Sequence, residues 1–185
     1  MPNSVNNIYS SALFELLEEE HANKQSGFSG VLSELEAVGN ILHGVPDFVK
    51  LSLVPTVSRE DKLSVIKNVF DGKVSPYVLN FLCVLSQKDR LGDFDGIFRG
   101  FRAKYHEKFG ITPVAVTSAF ALTKDQRDKI VSKMEKVTGN QVELSEKTDK
   151  NLIGGIVVDY GGSRIDASVR TRLESLKKEI ADIVL

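Results

Sequence analysis

Cysteine is almost missing from this 185-residue sequence, with Cys83 the single instance. One cysteine cannot close an internal disulfide. Its setting, Phe81-Leu82-Cys83-Val84-Leu85, marks a small core residue rather than a reactive thiol. A dominant charge is missing too: 24 basic against 25 acidic residues leave a net charge of −1. No strong overall field is therefore available to attract nucleic acid or anionic lipid. No apolar run approaches the roughly 20 residues that a membrane-spanning helix needs. The start, Met1-Pro2-Asn3-Ser4, has neither the basic-then-apolar order of a signal peptide nor the Arg-rich character of a transit peptide. A soluble chain in a reducing compartment is the expectation.

The usual carriers of chemistry are also absent. No window matches the Gly-x-x-x-x-Gly-Lys-Ser/Thr phosphate loop, no Gly-x-Gly-x-x-Gly follows a strand, and no Gly-x-Ser-x-Gly nucleophile turn occurs. His21, His43 and His106 stand far apart. Glu18 and His21 have the Glu-x-x-His spacing of two-metal helical bundles, but such a site needs a second copy and further Glu ligands. Gly27-Phe28-Ser29-Gly30 fits the Gly-x-x-Gly of a KH clamp, yet the loop has no basic residue and no flanking strands, so an interhelical turn is expected. No catalytic residue, cofactor or metal site is expected.

What is present is an ordinary globular balance, 42% hydrophobic and 26% charged. Helical periodicity fills the first part. Val5, Ile8, Tyr9, Ala12, Leu13, Leu16 and Leu17 pattern a first helix, and Phe28–Leu42 a second. A short third covers Asp47–Leu53. A fourth begins at a capping box, Ser58 with Asp61, and ends near Gly72. Pro76 opens a fifth, since proline is tolerated in the first turn. A sixth runs from Leu91 to Lys108 and carries Gly92, Gly96 and Gly100 along one side, which reads as close packing.

The pattern changes near Gly110. Val114–Phe120 reads as a strand. Thr123 and Gln126 form a capping box for a helix bearing Ile130, Met134 and Val137. Gln141–Ser145 alternates like a half-buried strand. Leu152–Tyr160 reads as another, with Gly154 and Gly155 inside it. Gly161-Gly162 suits a two-residue hairpin turn, with Ser163–Ala167 returning. A last helix from Ser168 repeats Val169, Leu173, Leu176, Ile180 and Ile183. The fold class is α+β: an N-terminal six-helix bundle, residues 1–108, followed by a small mixed α/β domain, residues 109–185.

One excess points to protein partners. The helix from Pro76 is apolar nearly all round: Val78, Leu79, Leu82 and Leu85 make one face, and Tyr77, Phe81 and Val84 another. A helix buried on one side needs only one apolar face. A central position in the bundle would give the same pattern, as would a groove that accepts an amphipathic helix from another protein. A nucleic-acid module is the rival class, on Arg164, Arg170, Arg172, Lys177 and Lys178. Glu174 and Glu179 interleave with these bases, as on a solvated helix face.

The stretch Asp149–Leu176 is more specific. Its Leu152-Ile153-Gly154-Gly155 run, its glycine turn, and Ile165-Asp166-Ala167-Ser168-Val169-Arg170 before a Leu-x-x-Leu helix resemble the C-terminal region of the delta subunit of F-type ATP synthases. The mitochondrial relative is the oligomycin-sensitivity-conferring protein. Gly162 departs from the family, where an acidic residue commonly follows the turn glycine. Tyr9-Ser10-Ser11-Ala12-Leu13-Phe14 resembles the family's Tyr-Ala-x-Ala-Leu-Phe opening, with Ser10 in place of alanine, and Arg90-Leu91 resembles its Arg-Leu pair.

That resemblance implies a non-catalytic stator subunit, linking the catalytic alpha/beta hexamer to the b-type peripheral stalk and resisting rotor torque. It implies that the helical domain binds the N-terminal helix of an alpha subunit through its first and fifth helices. The positions carried over are Tyr9, Ala12, Leu13, Leu16, Tyr77, Phe81 and Val84. It implies that the C-terminal domain meets the stalk near Val169, Leu173 and Leu176, some of them also core. Nucleic acid is not an expected partner. Membrane association is expected only through the complex, on the cytoplasmic face of a bacterial inner membrane. Another protein-protein adaptor of the same architecture is the alternative.

Overall fold

The structure, a computed structural model, describes residues 4–21, 24–45, 47–48 and 57–183, with side chains described at 5–20, 24–45, 47–48 and 57–177. It is a mixed α+β chain in two compact units, Met1–Tyr105 and His106–Leu185. Seven α-helices and four strands are bounded within the described residues.

The first unit holds α1 (Ser4–His21), α2 (Gln25–Gly44), α3 (Arg59–Phe70) and α4 (Pro76–Gln87), then one turn of 3-10 helix (Leu91–Asp93) and most of α5 (Phe94–Phe109). Its core is built from fully buried Leu17, Phe28, Leu35, Ile66, Leu82 and Phe101. Phe14 of α1 lies between two rings, 5.0 Å from Phe28 and 5.7 Å from Phe101. Such contacts add specific geometry to the apolar burial.

Several sequence expectations shift here. Gly27–Gly30 is no interhelical turn: α2 starts at Gln25 and buries Phe28, so these glycines lie within its first turns. The expected helix over Asp47–Leu53 lies outside the described residues except for positions 47 and 48, which are helical. The Ser58 hydroxyl accepts from the Asp61 N–H, but Asp61 answers through its carboxylate to that hydroxyl, 2.7 Å away, rather than to the backbone. At α4, Ser75 caps Val78 N–H and Pro76 takes the first helical position. The helix expected from Leu91 opens with a tighter turn, in which Asp93 N–H donates to Arg90 C=O and Gly92 weakens the α alternative.

The second unit holds β1 (Ile111–Ser118), α6 (Lys124–Thr138), β2 (Gln141–Thr148), β3 (Gly155–Tyr160), β4 (Ser163–Ser168) and α7 (Val169–Ile183). The sheet order is β2-β1-β3-β4. β1 pairs parallel with β2 through the α6 crossover, while β1-β3 and β3-β4 are antiparallel. Alternation puts Val114, Val116 and Val158 on the face that α6 covers with Met134 and Ile130. The α6 capping box is complete: Thr123 accepts from Gln126 N–H, and Gln126 accepts from Thr123 N–H at 2.9 Å.

β1 begins three residues before the expected start, and Phe120 falls outside it. The strand expected from Leu152 begins only at Gly155. The Gly154 carbonyl is taken by Val169 N–H, and Gly155 has φ +82°, where a side chain would collide with Ala167 and Ser168. Gly161 and Gly162 have φ +51° and +80°, joining the paired Tyr160 and Ser163 in the two-residue turn expected of them.

Candidate functional site

α1 has two apolar rows with different fates. Ser10, Leu13, Phe14 and Leu17 face inward and are buried. The small side chain at position 10 has a cause. A Cβ added at Gly100 of α5 would lie 2.8 Å from Ser10 Oγ, and one at Gly96 would overlap Asn6. Gly96 and Gly100 thus lie where α5 meets α1. The second row, Ile8, Ala12 and Leu16, recurs every four residues and lies exposed, Ile8 at 65%.

α4 contributes less exposed surface than its sequence suggests. Val78, Phe81, Leu82 and Leu85 are all buried, so most of the all-round apolar character serves the bundle core. Val84 is exposed at 43%, and Tyr77 is half-buried. The Tyr77 hydroxyl donates to the Glu20 carboxylate at 3.1 Å, tying the first turn of α4 to the last turn of α1. That bond, together with desolvation and the Glu20 charge, raises the phenol above its ordinary range.

Of the residues singled out for this face, Ala12, Leu16 and Val84 are exposed, and Tyr9 and Tyr77 are half-buried. Leu13, at 2%, and Phe81 lie in the core. Ile8 was not singled out, although its spacing to Ala12 and Leu16 already marks it as part of their row.

The second unit has its own exposed face. Val169, Leu173 and Leu176 of α7 stay exposed, so the expectation that some of them are core does not hold. The first turn of α7 is anchored. Ser168 N–H donates to the Asp166 carboxylate at 2.8 Å, and Ser168 Oγ accepts from Thr171 N–H, which caps the helix. The bond from the Ser168 backbone, and those from the Ser168 and Thr171 hydroxyls, hold Asp166 below the usual carboxylate range. This is the local work of the Ile-Asp-Ala-Ser-Val-Arg motif: it turns the chain from β4 into α7. Phe120 and Ile153, which sequence reasoning passed over, are among the most exposed large apolar residues, at 77% and 73%.

Among the described residues, no three His, Cys, Asp or Glu side chains gather as metal ligands. His43 bonds Asp95 at 2.9 Å, and His106 bonds Glu143. Burial pushes the Cys83 thiol up, away from reactivity, against a smaller opposing effect of Lys67. What the geometry offers is two exposed apolar faces, one on each unit, and such faces mark places where other chains dock.

Comparison with known proteins gives the family. The family described as ATP synthase delta (OSCP) subunit matches residues 5–180. The ATP synthase subunit delta of Solidesulfovibrio magneticus is 35% identical over 180 residues, covering 96% of each chain. That of Prochlorococcus marinus strain MIT 9312 is 33% identical over 175 residues, covering 94% of each. In solved structures, a chain of the Toxoplasma gondii mitochondrial ATP synthase hexamer shares the fold, with a TM-score of 0.69, 22% identity, and 97% and 98% of the two chains covered.

Proposed function

Because this chain belongs to the ATP synthase delta (OSCP) subunit family, we propose that its two units are the two ends of one connector, each end docking a different subunit. The chain is a non-catalytic stator subunit of the F-type ATP synthase, in the linkage between catalytic head and peripheral stalk. It makes and breaks no covalent bond. Its work is to hold a joint while the rotor turns.

The helical unit binds the N-terminal helix of an alpha subunit. The observation that carries this is the exposed row Ile8, Ala12 and Leu16, with Val84 exposed on α4. An amphipathic helix laid on a groove uses such i, i+4 anchors. Tyr9 and Tyr77, each half-exposed, offer an apolar ring with a polar tip. Leu13 and Phe81 act from beneath, by fixing the backbone that presents their neighbours. The α/β unit meets the b-type stalk through Val169, Leu173 and Leu176. The chain lies on the cytoplasmic face of a bacterial inner membrane, peripheral and held only through the complex. No described helix is long and apolar enough to cross a bilayer.

The test is calorimetry of the full chain with a peptide of the alpha N-terminus. Tyr9→Ala combined with Val84→Asp is expected to weaken binding by about tenfold or more, since removing buried contacts at such a centre costs above ~1 kcal/mol each. Circular dichroism should remain native. Unchanged affinity in a folded variant removes the groove.

A further inference from the structure

The stalk reading uses only α7, but the exposed apolar surface of the second unit is wider. β1 and β2 end, β3 begins and β4 ends at the same edge of the sheet, where Ser118 pairs with Ile156 and Gly155 with Ser168. Phe120 follows the end of β1, and its carbonyl accepts from Ser118 Oγ at 2.7 Å. The 149–154 loop is held at this edge from both sides: Asp149 N–H donates to Ser118 C=O, and Val169 N–H donates to Gly154 C=O. A side chain at Gly154 would press on the Val169 methyl at 3.1 Å. Phe120, Ile153 and Val169 therefore share one end of the sheet, and Leu173 and Leu176 continue from Val169 at i+4 and i+7. All five are exposed.

The charges around this surface are unequal in a telling way. Its carboxylates are engaged: Asp149 accepts from Asn151, Asp166 from Ser168, and Glu174 from Arg170. Asp125 lies in the first turn of α6, where a negative charge is stabilised by the helix's own dipole. Apart from Arg170, which Glu174 takes, the cations near this surface are open. Lys124, Lys147, Lys150, Arg172 and Lys177 make no ion pair among the described residues. An apolar surface rimmed by open cations selects a partner with carboxylates beside its apolar row.

We propose that Phe120 and Ile153 extend the α7 row into one docking surface, and that its occupant is an amphipathic helix of a partner protein whose apolar stripe is flanked by Asp and Glu. The proposal rests on the reading that this unit meets the stalk, and adds to it the partner's charge and two further contact residues. The apolar row supplies most of the contact area, and the cations speed encounter and reject basic helices.

The experiment uses the full chain and three probes: a C-terminal segment of the b-type stalk subunit, the same segment with its Asp and Glu changed to Lys, and phosphatidylserine vesicles. Binding is read by fluorescence anisotropy, and the bound surface by hydrogen exchange. The native segment should bind, protect the 149–154 loop and α7, and weaken with salt. Phe120→Ser and Ile153→Ser should each weaken it by about tenfold, and the lysine-substituted segment should bind at least about tenfold more weakly. Both substitutions are at exposed positions, so native circular dichroism is expected. Equal binding of the lysine-substituted segment, or no effect of Phe120→Ser and Ile153→Ser, overturns the proposal. So does protection of the same residues by vesicles with none by the segment. Leu173→Asp separates the two readings. If it abolishes binding while Phe120→Ser and Ile153→Ser do not, the stalk reading stands and this extension fails. If none of the three matters, both fail.

Discussion

Asp89 shows how much one residue can be asked to hold. It has φ +54°, the left-handed conformation that a short polar side chain tolerates better than most. There it lets Arg90 N–H return to Leu85 C=O at 2.8 Å and closes α4. Its carboxylate also takes the Lys62 ammonium at 2.7 Å, whose side chain is almost wholly buried. The Lys62 hydrogen bond is the main cause holding Asp89 below its ordinary range. Asp89→Ala should therefore destabilise more than Lys62→Met, because the first leaves a buried ammonium unpaired and the second removes it. Urea titration of both variants checks the order. Asp89 and Asp166 are both depressed on folding, so their stabilisation is complete above the ordinary carboxylate range, near pH ~4, and is lost as pH falls through their lower folded values. The acid limb of the stability curve should flatten in Asp166→Asn. Gly100 sets two effects against each other. Alanine gains about 1 kcal/mol of helix propensity, but its Cβ would lie 2.8 Å from the Oγ and 3.1 Å from the Cβ of the fully buried Ser10. The clash should win, with Gly100→Ala destabilising by roughly 1–3 kcal/mol. Adding Ser10→Ala should recover part of that loss in thermal melts.

At the scale of elements, sequence legibility follows local chemistry. The α6 capping box, the proline start of α4 and the double-glycine hairpin are each fixed by a few neighbouring residues, and each is where the sequence puts it. Thr123→Ala should accordingly cost about 1 kcal/mol in urea unfolding. Elements whose limits depend on distant partners are less legible. β3 starts late because Gly154 and Gly155 answer to Val169 and Ala167, which periodicity cannot see. α4 looks like a docking helix in sequence, yet the bundle buries Val78, Phe81, Leu82 and Leu85 and leaves Val84 exposed. The surface row of α1 was readable, since Ile8, Ala12 and Leu16 stand four apart, but it was hidden beside the equally apolar inner row. Ile8→Ser with Leu16→Ser should weaken binding to the alpha N-terminal peptide by about tenfold in calorimetry, with little change in melting temperature, because neither side chain is buried.

For the whole molecule, the absences and the apolar faces argue the same way. The sequence contains no phosphate-loop or nucleophile-turn motif, and each compact unit carries an exposed apolar face of its own. A connector needs two independent docking faces more than it needs a reaction centre. A connector must hold both partners at once, so both faces must be occupied together. Sedimentation of the full chain with a labelled alpha N-terminal peptide and a separately labelled C-terminal segment of the b-type stalk subunit tests this directly. The expected result is a ternary complex in which both labels move with the chain, with Val84→Asp releasing only the alpha peptide and Leu173→Asp only the stalk segment. Mutual displacement of the two labels, or loss of both from either substitution in a folded chain, would contradict it.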